Sequence, residues 1–103
     1  MRESTYQNRL IKKIEQMFEE CIVLKNNPNH LQGVPDLLLL FPHTWAALEV
    51  KLAHNSEHQP NQDYYVAVMD GMSFAAFIYP ENDEEVLYEL QQALTTRRTS
   101  RVS

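Results

Sequence analysis

The apolar positions of this chain change their period several times, and each change marks an element. Tyr6, Leu10, Ile14, Met17, Phe18 and Cys21 recur at helical spacing and predict an amphipathic helix over about residues 3–20. Cys21 to Leu24 is a short, β-branched apolar stretch, which predicts a strand. A loop follows at Asn26 to Asn29. Gly33, Val34 and Pro35 then lead into Asp36 to Phe41, apolar at every position after Asp36, as in a strand covered on both faces. Pro42 to Thr44 is a tight connection to a further strand at Trp45–Lys51, so these two strands predict a hairpin. Residues 53–60 are polar and carry no element. Tyr64, Tyr65, Val68 and Met69 predict a short helix ended by Gly71. Ser73 to Tyr79 is another strand, closed by Pro80. Asn82 with Glu85 fits a capping box. It opens a helix to about Leu94, with Val86, Leu87, Leu90 and Leu94 as its apolar stripe. From Thr95 the chain is polar and reads as a flexible tail, residues 95–103.

The order is α-β-β-β-α-β-α. A strand, helix and strand over residues 45–79 form a crossover that makes its two strands parallel. The hairpin before it is antiparallel. The expected fold class is α/β, a mixed sheet flanked by helices with a C-terminal helix, in one domain over residues 1–94. The length of 103 residues and the 44% apolar content fit one such domain. No apolar run approaches the ~18 residues of a membrane helix, and Met1 to Asn8 is too polar for a secretory signal. The single cysteine, Cys21, forms no internal disulfide and lies in the apolar arc of the first helix, where it reads as a core residue. A cytoplasmic setting, no membrane and no nucleotide cofactor are the expectations.

The net charge of −5 argues against a protein that coats nucleic acid without specificity. Its distribution is uneven. Residues 1–51 carry six basic and six acidic side chains, while residues 52–96 carry eight acids and no Lys or Arg. Arg97, Arg98 and Arg101 return positive charge to the tail. A local basic surface is therefore compatible with an acidic total.

Three charged residues stand where a buried sheet should be apolar. Asp36 opens one strand of the hairpin, and Glu49 and Lys51 end the other. Side chains alternate across a strand, so Glu49 and Lys51 share a face. Hairpin pairing sets Asp36 across from them. Burying such groups is costly unless they pair or bind an ion. Two adjacent carboxylates repel without a cation between them. Oxygen ligands select a hard cation, Mg²⁺ or Mn²⁺. The ordinary alternative is an acid–lysine pair on a surface hairpin.

The lead-in Gly33, Val34, Pro35 and Asp36, followed by Glu49, Val50 and Lys51, resembles the PD-(D/E)XK nuclease superfamily. The compact arrangement is most similar to its VRR-NUC branch and to phage junction-resolving endonucleases, and the likeness spans about residues 3–94. It implies a restriction-endonuclease-like core. It also implies a divalent-metal-dependent DNA endonuclease, with Mg²⁺ or Mn²⁺ held by Asp36, Glu49, the Val50 carbonyl and Glu3. Lys51 and Gln62 would act beside them, Gln62 as the glutamine opening the next helix and Gln59 as the fallback. At 100° per residue, Glu3 is the one acid of the first helix on its apolar arc, whereas Glu15, Glu19 and Glu20 fall outside it. Against this, Ser4 capping the helix with Gln7 would leave Glu3 in solvent.

The resemblance further implies hydrolysis to a 5′-phosphate and a 3′-hydroxyl. Branched or four-way-junction DNA and a homodimer in a phage or bacterial setting are the expected partners and context. Lys25, Arg9, Lys12 and Lys13 are candidate phosphate contacts. His30, His43, His54 and His58 sit in separate polar loops and read as solvated. The rival functions are a restriction-type, sequence-specific nuclease, a catalytically inactive binding or assembly module of the same fold, and an ordinary acidic α/β interaction domain whose signature is accidental.

Overall fold

The computed structural model describes residues 1–27 and 31–102, with side chains as far as Thr95. His30 lies outside the described residues, as do the side chains of Arg97, Arg98 and Arg101. The elements are α1 (Glu3–Met17), β1 (Ile22–Lys25), β2 (Leu37–Leu40), β3 (Trp45–Val50), α2 (Gln62–Met72), β4 (Ala75–Ile78) and α3 (Asp83–Val102). The fold is α/β, a four-stranded mixed sheet in the order β1-β2-β3-β4 with helices against it and a C-terminal helix. β1–β2 and β2–β3 are antiparallel, and β3–β4 is parallel through the α2 crossover. Among the described residues, no helix is long and apolar enough to cross a membrane.

Strand alternation divides the apolar side chains between two layers. Leu37, Leu39, Ala46, Leu48, Val50 and Ile78 face α1 and α3, where they join Tyr6, Leu10, Ile14, Phe18, Val86, Leu87 and Leu90 in the main core. Each fully buried Leu or Ile there contributes about 1.5–3 kcal/mol of transfer free energy. Ala47 and Ala75 face the other way, against Val66 of α2, with Leu38, Trp45, Met69 and Phe77 around them. The Tyr6 hydroxyl donates to Asp83 Oδ2 at 3.0 Å, which ties α1 to the start of α3.

Several boundaries differ from the sequence reading, each for a local reason. Phe18 fits the helical stripe, yet its backbone is extended and α1 stops at Met17. Its ring turns inward to meet Phe41 edge-on, 5.5 Å between centroids. Ser4 does not cap α1, because the helix already begins at Glu3 after Arg2, which makes no side-chain cap bond. β2 is not enclosed on both sides. Leu37 and Leu39 are fully buried, but Leu38 and Leu40 are only half-buried because α2 covers β3 and β4 rather than β2. Gly71 does not end α2, which continues to Met72 and stops at Ser73.

Asn82 forms no capping box. Its side chain accepts from Tyr79 N–H and donates to the Phe77 carbonyl, which fastens α3 to the end of β4. α3 runs to Val102 instead of ending near Leu94. Residues 95–101 are polar, but neither they nor Val102 are Gly or Pro, so nothing there stops a helix. The Thr95 hydroxyl donates to the Gln91 carbonyl one turn back. Cys21 packs against the main core without being fully enclosed, and burial pushes its thiol up to about 11. It is therefore a protonated packing group at neutral pH.

Candidate active site

Position in the site begins with the approach to β2. Gly33 has φ +94°, a left-handed value that costs glycine little. It sits so close to the start of α2 that an added Cβ would lie 2.6 Å from Asn61 Cβ and 2.8 Å from the Pro60 carbonyl oxygen. Asn61 is itself left-handed, φ 71°. Pro35 is fully buried. Asn26, just past β1, donates from its side chain to the Pro35 carbonyl and from its backbone to the Asp36 carbonyl. Asp36 is thereby held at the head of β2.

β2 and β3 pair Leu37 with Leu48, so Asp36 stands opposite Glu49 on the same face of the sheet. Asp36 Oδ2 accepts the Val50 N–H at 3.0 Å, which locks the carboxyl to β3. Glu49 is 2% exposed and Lys51 is 7% exposed, and they are the only fully buried charged residues described. Gln62, the first residue of α2, joins them. Its Nε2 donates to Glu49 Oε2 at 2.8 Å, and its Oε1 accepts from Lys51 Nζ at 2.7 Å. Lys51 Nζ also donates to the Glu57 carbonyl at 3.0 Å and lies 3.8 Å from Glu49 Oε2. Two of its three N–H donors are therefore in hydrogen bonds, and the Glu49 contact is an ion pair beyond hydrogen-bond distance. Gln59, the fallback for Gln62, enters through its backbone alone, donating N–H to Gln62 Oε1 at 2.8 Å.

The electrostatics follow from this enclosure. Burial pushes the Glu49 carboxyl up to about 8, helped by the neighbouring charge of Asp36 and opposed by Lys51. Glu49 Oε1 is buried with no hydrogen-bond partner. When Glu49 is ionised that oxygen stands bare. An orphaned carboxylate oxygen beside a second carboxylate is what a hard cation satisfies.

Glu3 is less enclosed than its place on the helical arc implies. The residue is exposed in the first turn of α1. Its pKa is nonetheless raised, first by partial desolvation and then by Asp36, with Lys51 pulling it down. Glu3 thus senses the charges of the site without a hydrogen bond or ion pair to it. Among the described residues, no three His, Cys, Asp or Glu side chains are grouped to hold a metal ion. Glu3 is therefore not drawn in as a third carboxylate beside Asp36 and Glu49.

The basic candidates are spread over the surface around α1. Lys25 Nζ donates to Asn8 at 3.2 Å, on the face of the sheet opposite Glu49. Arg9 and Lys12 are exposed on α1. Lys13 pairs with Asp83 at 3.6 Å and so is engaged by α3 rather than free.

His58 is exposed, in keeping with its reading as solvated, yet its ring is fastened to two neighbours. Its ring stacks on Phe77 with centroids 4.2 Å apart and planes 16° from parallel, and Nδ1 lies 2.7 Å from Asp63 Oδ1. Neither partner was legible beforehand, since Phe77 comes from the far strand of the crossover. His54 lies 3.7 Å from Glu81, and His43 is exposed. No family model, curated protein or solved structure matches the chain.

Proposed function

We propose that this chain is a divalent-metal-dependent DNA endonuclease of the PD-(D/E)XK type, with a restriction-endonuclease-like core closest in plan to the VRR-NUC branch. One observation carries the reading. Asp36, Glu49, Lys51 and Gln62 come from three segments of the chain, yet they meet beside a buried carboxylate oxygen that has no partner. A structural ion pair would satisfy its own oxygens.

The donors fit Mg²⁺ or Mn²⁺. Asp36, Glu49 and the Val50 carbonyl would hold it, with Glu3 contributing through water. When bound, such a cation lowers the pKa of a coordinated water and polarises the scissile phosphate. Lys51 holds the attacking water and offsets charge developing on the phosphate oxygens. Gln62 orients both Lys51 and Glu49, because its one amide group bonds to each of them. The products expected are a 5′-phosphate and a 3′-hydroxyl. A homodimer acting on branched or four-way-junction DNA is the substrate and assembly we propose.

The test is a cleavage panel of single-stranded, duplex, flap and four-way-junction DNA, each with Mg²⁺ or Mn²⁺. Cleavage that is lost in Lys51→Ala and in Asp36→Asn supports the reading. No cleavage of any substrate with either metal overturns it.

The near-complete enclosure of Glu49 and Lys51 favours one alternative, an inactive binding or assembly module that keeps the network for structure. Mn²⁺ calorimetry separates the two. Binding that disappears in Asp36→Ala belongs to the nuclease, and absence of binding belongs to the module.

A further inference from the structure

Three consecutive residues between β3 and α2 divide their labour. The Glu57 carbonyl accepts from Lys51 Nζ at 3.0 Å, and the Gln59 N–H donates to Gln62 Oε1 at 2.8 Å. His58 lies between them, with its side chain fastened twice. A carboxylate only accepts, so Nδ1–H donates to Asp63 Oδ1 at 2.7 Å. The ring also lies flat on Phe77. Phe77 is the register partner of Glu49 in the parallel β3–β4 pair. The stacked ring is thus set on the same face of the sheet, one strand from the carboxylates.

Residues 51–60 form no helix or strand of their own. What fixes the middle of residues 57–59 therefore fixes the two backbone groups on either side. A lysine ammonium turns freely on a four-carbon stem unless acceptors set its orientation. Here one acceptor is the Glu57 carbonyl and the other is Gln62, itself held by Gln59.

We infer that His58 is a positioning residue: clasped to Asp63 and stacked on Phe77, it holds the backbone that aims Lys51 and Gln62. This rests on Lys51 and Gln62 being site residues as proposed above. His58 acts through these neighbours and does not itself touch substrate. Loss of the clasp lets the ammonium turn away from the attacking water, which slows turnover and leaves substrate affinity alone.

The experiment compares the full-length wild type with His58→Ala, Asp63→Ala and Asp63→Asn. Two readouts are taken. The first needs no activity: the ¹⁵N ammonium resonance of Lys51 in the metal-free protein, slowed in hydrogen exchange by its two acceptors. It should broaden in His58→Ala and Asp63→Ala and persist in Asp63→Asn, whose side-chain oxygen still accepts from Nδ1–H. The second is cleavage kinetics, where both alanine variants should lose about tenfold in kcat with KM within about twofold. Asp63→Asn should recover most of that loss. Should His58→Ala not fold, the Asp63 pair carries the test alone.

An unchanged Lys51 resonance in the alanine variants overturns the clasp, as does a rise in KM with kcat unchanged, which marks a substrate contact. A resonance that broadens as expected, in a wild type that cleaves no DNA, supports the clasp and overturns the nuclease reading instead.

Discussion

On the face of the sheet covered by α1 and α3, every fully buried strand residue is apolar. On the face covered by α2, β3 presents Glu49, and Lys51 follows at its end. One six-residue strand serves both sides, with Ala46, Leu48 and Val50 turned one way and Ala47 and Glu49 the other. The first face has two helices and a deep apolar layer. The second has one helix, which reaches only β3 and β4, so Ile22 and Leu24 of β1 stay 60% and 44% exposed. The contrast separates two tasks that share a backbone. The dry face supplies stability, and the half-covered face holds the costly charges.

The sharpest way to test that division is to alter each face and read both stability and activity. Lys51→Ala should lower cleavage by about 10³-fold or more. Its melting temperature should stay within a few degrees of wild type, because Glu49 takes up a proton instead of standing as a bare buried charge. Leu48→Ala, from the same strand but the opposite face, should do the reverse. Removing a fully buried leucine costs about 3 kcal/mol in urea unfolding. The protein that remains folded should keep its kcat. A Leu48→Ala variant that loses activity while fully folded would erase the distinction between the faces.

The pH dependence of stability sharpens it further. The folded state holds the Glu49 carboxyl up to about 8, against a reference value of 4.5. Between those values the folded protein keeps a proton that the unfolded chain releases. The stabilisation is complete below pH 4.5 and is lost as the pH rises through about 8. Metal-free wild type should therefore weaken between pH 5 and 9. Glu49→Gln should remove that slope and be more stable at pH 9, by on the order of 2 kcal/mol. Chemical denaturation at a series of pH values measures it.

The smallest effect is expected at Gly33→Ala. Its positive φ and the 2.6 Å approach to Asn61 make the substitution cost about 1 kcal/mol or somewhat more. The damage should fall on the α2 side, seen as lower cleavage and faster amide exchange around Gln62, with the α1 and α3 core unaffected.

The two faces also differ in how far they could be read beforehand. Asp36, Glu49 and Lys51 were legible because period-two alternation and hairpin pairing are strict rules, and charges break an otherwise apolar pattern. Gln62 followed only from the family resemblance, which implies a glutamine opening the helix after the Glu49–Lys51 strand. The half-open cover over β2 was not legible, since its four leucines look alike until a helix chooses which strands to lie on. The contacts of His58 were missed for a similar reason. A polar loop carries no period, and stacking on Phe77 is decided only when the crossover closes. The end of α1 misled because Phe18 satisfies the stripe with an extended backbone.

The contact between Gly33 and the Pro60–Asn61 turn has a further consequence, for the order in which the chain folds. The β2–β3 hairpin joins near neighbours and closes cheaply, whereas the Gly33–Asn61 seat joins segments far apart and must wait for the crossover to dock. Until then Asp36 and Glu49 lie on a hairpin open to water, without Gln62 beside them. The proposed active site is therefore expected to be a late product of folding. A growing chain would carry all the sheet carboxylates and yet remain chemically silent until α2 has been made and seated.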